Sequence, residues 1–190
     1  MGCSLWPKLL LKLRAQQPRI QIELVVSNAV NDLLRREADI AIRLVRPTQP
    51  SLVARRIGQV GVVACAHRSY LAEGGIPQTP ADLLEHQLVG NDRVQDITRG
   101  CAAMGHPVGA EQFALRTDDL MAYWAAVRAG LGIGFVGAFL LRDDPDVVAV
   151  LSDLPLPALP VWLVVHREIR SSRRIRAVMD FLAHHLPPLL

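Results

Sequence analysis

Cysteine is scarce in this chain. Three residues, Cys3, Cys65 and Cys101, are spread through 190 positions. An odd number at wide spacing excludes a disulfide framework, and the lack of a Cys-x-x-Cys pair removes the usual metal and redox motifs. Reduced thiols are therefore expected. A redox switch is the alternative: Cys101 lies in a polar, glycine-containing stretch with His106 nearby, and it would need a low thiolate pKa. Long apolar runs are missing too. The most membrane-like window, residues 147–165, is broken by Asp153 and by Pro155, Pro157 and Pro160, whereas a spanning helix needs about 20 mostly apolar residues. The opening Met-Gly-Cys-Ser-Leu-Trp, followed by Pro7 and Lys8, has neither the basic flank and apolar core nor the cleavage site of an export signal. A cytoplasmic chain without membrane contact is the expectation. A net charge of +3 falls short of the dense Lys/Arg footprint of a nucleic-acid module. There is no His-x-x-x-His pattern, nucleophile elbow, paired acid/base motif or internal repeat. His184 and His185 are adjacent, so on a helix they diverge and make a poor metal pair. No cofactor is expected.

What is present is an ordinary globular composition, 51% apolar and 21% charged, with enough length for one large domain or two small lobes. Pro7 opens a helix whose Leu9, Leu10 and Leu13 form an apolar stripe, and Pro18 stops it. Residues 20–26 alternate Ile20, Ile22, Leu24 and Val26 with Gln21 and Glu23 and read as a strand. A short helix over 31–37 and a strand over 39–44 follow, an order that implies parallel neighbours with a right-handed crossover. Residues 60–66 form a nearly continuous apolar strand. Thr79-Pro-Ala-Asp82 supplies an N-cap, a first-position proline and an acidic first turn for a helix ending near His86, before a strand over 87–90. Residues 93–111 show no period and read as a long loop. Thr117 or Asp118 caps a helix with Leu120, Trp124 and Val127 on one face, closed by Gly130. Strands over 133–139, 147–151 and 161–166 follow, and Ser171 or Ser172 caps a last helix reaching His185.

The strong strands over 60–66 and 161–166 bracket the middle block. The chain is therefore expected to leave a first lobe and later return to it. That gives lobe I as residues 1–65 and 162–190, lobe II as residues 66–161, and a ligand cleft between them.

Several segments, taken in order, resemble the effector-sensing domain of LysR-type transcriptional regulators. They begin with Pro7-Lys-Leu-Leu-Leu-Lys-Leu13 and Pro18, then Glu37-Ala-Asp-Ile-Ala-Ile-Arg43 and Ser51-Leu-Val-Ala-Arg-Arg-Ile-Gly58. His67-Arg-Ser-Tyr-Leu71, Gly75-Ile-Pro77, Thr79-Pro-Ala-Asp-Leu-Leu-Glu-His86 and Ala129-Gly-Leu-Gly-Ile-Gly134 follow. Trp162-Leu-Val-Val-His-Arg167 and Arg173-Arg-Ile-Arg-Ala-Val-Met-Asp-Phe-Leu182 complete the pattern. The resemblance implies an α/β fold of two Rossmann-like lobes with an effector cleft, similar to type-2 periplasmic solute-binding proteins. It also implies that the family's first strand is missing ahead of Met1, which would expose a sheet edge or apolar slot.

By the same resemblance the cleft is lined by Cys3, Ser4, Ser27, Asn28, Arg43, Asn91, Thr117 and Gly137. Physical chemistry supports part of this set. Backbone N–H groups over Ser4 to Pro7 can cradle a carboxylate, and Arg43 at a strand's carboxyl end can fork onto the same group. Arg43 could instead pair with Asp39 or Glu37, and Ser27 and Asn28 could simply cap a turn. Asp118 and Asp119 suit a helix start electrostatically. Gly130-Leu-Gly-Ile-Gly134 follows a helix and precedes a strand, the reverse of a dinucleotide fingerprint, so close packing explains it. Arg167, Arg170, Arg173, Arg174 and Arg176 could meet DNA phosphate or an acidic partner, or form a solvated face.

The reading is an effector-sensing regulatory domain, not an enzyme. Its partners would be a small molecule, with carboxylates as candidates, a second copy in a homodimer, and further copies in the full-length protein. DNA would be contacted only through a helix-turn-helix absent from this chain. Rivals are a free solute-binding protein of a transporter and an enzyme on the same fold, for which only Asp92, Asp118 and Asp119 are candidate acid/base groups.

Overall fold

A computed structural model describes residues 5–26, 38–91 and 96–190. The chain forms two compact units: residues 1–61 with 158–190, and residues 62–157. These boundaries lie a few residues before the expected ones at 65/66 and 161/162. The difference arises at Gly61, where the apolar run read as one strand divides. β2 (Leu52–Val60) ends in the first unit and β3 (Val62–His67) begins the second. β2 hydrogen-bonds to β8 (Leu159–His166), whereas β3 pairs with β6 (Gly134–Gly137) and β7 (Val147–Val150).

In the first unit, β8 lies between β1 (Ile40–Arg43) and β2, and both ladders are antiparallel. Val161, Leu163, Val164 and Val165 are all buried, so both faces of β8 are covered. α1 (Trp6–Gln16) has Pro7 in its first turn and buries Leu9 and Leu13. α5 (Arg173–His185) buries Val178, Phe181 and Leu182, one face of a 3.6-residue period. Lys12 Nζ lies 3.2 Å from His185 Nδ1, placing α1 beside α5.

Residues 20–26 depart from expectation. They form no ladder, and the parallel crossover to residues 39–44 is replaced by antiparallel pairing of β1 with β8. Ile22 (45%), Leu24 (44%), Val25 (58%) and Val26 (72%) stand exposed. Alternation prepares a segment for a sheet, but a strand exists only where another backbone completes its hydrogen bonds. The expected helix over 31–37 lies outside the described residues.

The second unit orders its strands β6-β3-β7, all antiparallel, beside a parallel pair, β4 (Leu88–Gly90) and β5 (Phe113–Arg116). A parallel bridge between Leu88 and Ile133 ties the two groups together. There the Val89 N–H donates to the Ile133 carbonyl and the Ile133 N–H to the Gln87 carbonyl, each at 2.9 Å. Leu88, Val89, Val127 and Ile133 are wholly buried around this junction. The glycine run is shaped for it. Gly130 has φ +79° just past α4 (Leu120–Arg128), and a side chain on Gly132 would strike the Gln87 carbonyl.

Three further expectations change. The stretch read as a loop over 93–111 contains α3 (Asp96–Ala103), with Ile97, Cys101 and Met104 packed against the core at helical spacing. The N-cap of α4 is Asp119, whose Oδ1 accepts from the N–H groups of Met121 (2.7 Å) and Ala122 (3.1 Å). Its buried face is then Tyr123, Ala126 and Val127, while Leu120 is exposed. The Thr79–Asp82 start has the expected N-cap, first-turn proline and acidic residue, but it opens a 3₁₀ helix, Pro80–Glu85, and Asp82 closes a capping box with Thr79. Among the described residues, no helix is long and apolar enough to cross a membrane.

Candidate functional site

Four of the eight candidates fall among the described residues; Cys3, Ser4, Ser27 and Asn28 lie outside them, as does Asp92. Of the four, Asn91, Thr117 and Gly137 belong to the second unit and Arg43 to the first.

β4 and β5 are parallel, with Gly90 opposite Arg116, so Asn91 and Thr117 are the next residues at the carboxyl ends of neighbouring strands. The Thr117 N–H donates to the Gly90 carbonyl at 3.0 Å, which fixes that juxtaposition. β6 runs parallel to β4 from the Leu88–Ile133 bridge onward and ends at Gly137. Three positions distant in sequence thus finish three co-directional strands. This is where an open α/β sheet offers groups to a ligand, because nothing of the sheet continues beyond those ends. Thr117 Oγ1 accepts from the Asp119 N–H at 3.1 Å, so the hydroxyl is oriented by the start of α4. Asn91 also lines a cavity of about 160 Å³ with Thr98, Val108, Phe113 and Arg116.

Arg43 ends β1, half-buried, opposite Trp162 of β8. The pairing with Asp39 does not form: four residues along a strand separate their side chains by about 13 Å. Glu37 is outside the described residues.

Asp119 and the two described cysteines have structural roles. Asp119 is committed to its helix cap, removing one of three possible acid/base carboxylates. Cys101 is only 2% exposed and its thiol pKa is raised by burial. Both features oppose the exposed, thiolate-prone site that a redox switch requires. Cys65 is buried as well, its pKa pushed up to about 12 by desolvation. No group of three or more His, Cys, Asp or Glu side chains among the described residues could hold a metal ion. Arg167 donates to the Pro50 carbonyl at 2.9 Å, and Arg170, Arg173, Arg174 and Arg176 are exposed.

The sequence reading missed one polar pair. His86 is the only buried charged or polar side chain among the described residues. Tyr70 Oη accepts from the Gln87 N–H at 2.9 Å and lies 3.0 Å from His86 Nδ1. The tyrosine hydroxyl therefore bridges the Gln87 backbone and the His86 ring. The pair anchors the approach to β4, one strand that delivers a candidate residue. Tyr70 three residues after His67, with His86 closing the next short helix, was the available signal.

A model of the LysR substrate binding domain matches residues 1–187. The HTH-type transcriptional activator AaeR of Escherichia coli is 37% identical over 183 residues, covering 92% of this chain and 58% of the relative. The chain therefore spans somewhat over half the length of the curated relatives it matches. The regulatory domain of CrgA from Neisseria meningitidis superposes with a TM-score of 0.83 at 24% identity, covering 96% of this chain and 92% of that one. Full-length AphB of Vibrio cholerae, a virulence activator, superposes with a TM-score of 0.73 at 26% identity over 94% of this chain and 62% of that one. With its mixed α/β, type-2 periplasmic-binding-protein-like fold, this chain belongs to the LysR substrate-binding domain family, the regulatory effector-binding domain of LysR-type transcriptional regulators.

Proposed function

We propose that this domain senses a small-molecule effector, with Arg43, Asn91, Thr117 and Gly137 as its contact residues. Cys3, Ser4, Ser27 and Asn28 would complete the set. The observation that carries the reading is the convergence of Asn91, Thr117 and Gly137 at the carboxyl ends of three co-directional strands. An amide, a hydroxyl oriented by a helix start and a glycine that lets a ligand approach the backbone are groups suited to binding and orientation. These groups fit recognition of a bound molecule. In the full-length regulator, DNA contact belongs to a helix-turn-helix outside this chain. The protein works in the cytoplasm as a homodimer or higher oligomer, without membrane attachment.

A thermal-shift screen of small carboxylates and aromatic acids tests the reading. At least one compound is expected to raise the melting temperature saturably, with affinity reduced about tenfold by Asn91→Ala or Thr117→Val, the usual cost of a hydrogen bond to a bound ligand. Conversion of that compound to a product, or affinity indifferent to both substitutions, would overturn it.

A further inference from the structure

Trp162 of β8 is flanked by arginine on both sides. It lies opposite Arg43 of β1 in one ladder and opposite Arg56 of β2 in the other. Residues directly opposite in antiparallel ladders share a face, so the three side chains form one row across the sheet, Arg43–Trp162–Arg56. A bulge between Arg56 and Gly58 then brings Gln59 opposite Pro160, onto the same face, where its Oε1 accepts from Arg56 Nη2 at 3.2 Å. A third guanidinium, that of Arg46, lies over the indole, 5.5 Å from the ring centroid.

Two features of this row are unusual. The ladders set two arginines opposite one tryptophan and a third guanidinium lies over its ring, yet none of the three makes an ion pair among the described residues. The neighbouring rows offer no carboxylate: one is Ala41–Val164–Ala54, and the other carries Gln59 and Pro160. The indole Nε1 of Trp162 is also buried without a hydrogen-bond acceptor among the described residues. Buried donors are nearly always satisfied, and an exception calls for a ligand or a functional reason. Concentrated positive charge and a waiting donor on one face have a common complement, a small oxyanion. Guanidinium forks match a carboxylate in shape as well as charge, and an indole N–H can add a third bond.

We infer that Arg43, Trp162 and Arg56, with Arg46 stacked above, form an anion site for a small organic carboxylate, which accepts the indole N–H and draws Arg46 off the ring. The inference rests on the effector-sensing reading and assigns it a ligand charge and three contacts beyond Arg43. Arg43 and Arg56 stand on strands two spacings apart, about 10 Å. Their long side chains can therefore converge on a carboxylate above Trp162 without backbone movement.

The test is fluorescence titration of the 190-residue chain with acetate, succinate and benzoate, and with benzamide as the uncharged counterpart of benzoate. The signal of Trp162 is isolated by difference against Trp162→Phe. At least one carboxylate is expected to change Trp162 emission saturably, and benzamide is not. Arg43→Gln and Arg56→Gln are expected to weaken that carboxylate about tenfold each, and Arg46→Gln to change the unliganded emission, with circular dichroism confirming the fold of every variant. Silence from all three carboxylates, benzamide matching benzoate, or unchanged affinity in the arginine variants would each overturn the site. An uncharged compound that stabilises the chain and ignores Arg43→Gln would leave effector sensing standing while removing this anion site.

Discussion

The two units handle the same problem, closing a sheet, with different success. In the second unit, β4, β5 and β6 find partners, and the residues around the Leu88–Ile133 bridge are fully buried. In the first unit, residues 20–26 have an equally good strand pattern, yet they join no ladder, and Ile22, Leu24, Val25 and Val26 are exposed. An alternating pattern records which face would be buried. Whether it is buried depends on a neighbour that the segment cannot specify.

The contrast can be broken at its strongest point first. Leu88→Ala removes a fully buried side chain at the junction of the second unit and is expected to cost about 2–5 kcal/mol, measured by chemical denaturation. A loss under about 1 kcal/mol would mean that this junction is far looser than described. Tyr70→Phe is next. It deletes the hydroxyl that accepts the Gln87 N–H and bonds His86, at a cost of about 1–2 kcal/mol in the same assay.

Asp82 supplies a pH-dependent term. Its carboxylate accepts from the N–H groups of Thr79 and Gln78 and from the Thr79 hydroxyl, and these bonds hold its pKa below the ordinary carboxylate value. A pKa lower in the folded than in the unfolded state means that the stabilisation is complete above the unfolded value, near 4. It is lost as pH falls through the folded value. Melting temperatures between pH 6 and pH 3 are expected to fall less in Asp82→Asn than in the parent; identical slopes would exclude this contribution. The smallest effect is expected at the other pole of the comparison. Val26→Ser should leave thermal stability within about 0.5 kcal/mol and reduce light scattering at high concentration, because it removes apolar surface from an unpaired segment.

The legible parts of the sequence were those whose signals are local. Pro7, the Thr79–Asp82 capping box and the helical stripe of α5 each declare themselves within a few residues. β2 was missed because Arg55 and Arg56 are adjacent and Gly58 ends a bulge, so its pattern lacks alternation. β5 is only four residues long and exists through its partner β4. α3 carried the right spacing, Ile97, Cys101 and Met104, but Gly100 interrupts it. The candidate site divides likewise. Asn91 and Thr117 follow strand ends that the family pattern marks, whereas the Arg43–Trp162–Arg56 row joins residues up to 119 positions apart through two ladders. No spacing along the chain could reveal it.

The most direct test is a DNA footprint of the full-length regulator, with and without a compound that stabilises this domain. Effector sensing predicts that the compound alters the footprint, and that substituting Asn91 or Thr117 raises the concentration required. A footprint unchanged by a compound that saturates the domain would contradict it.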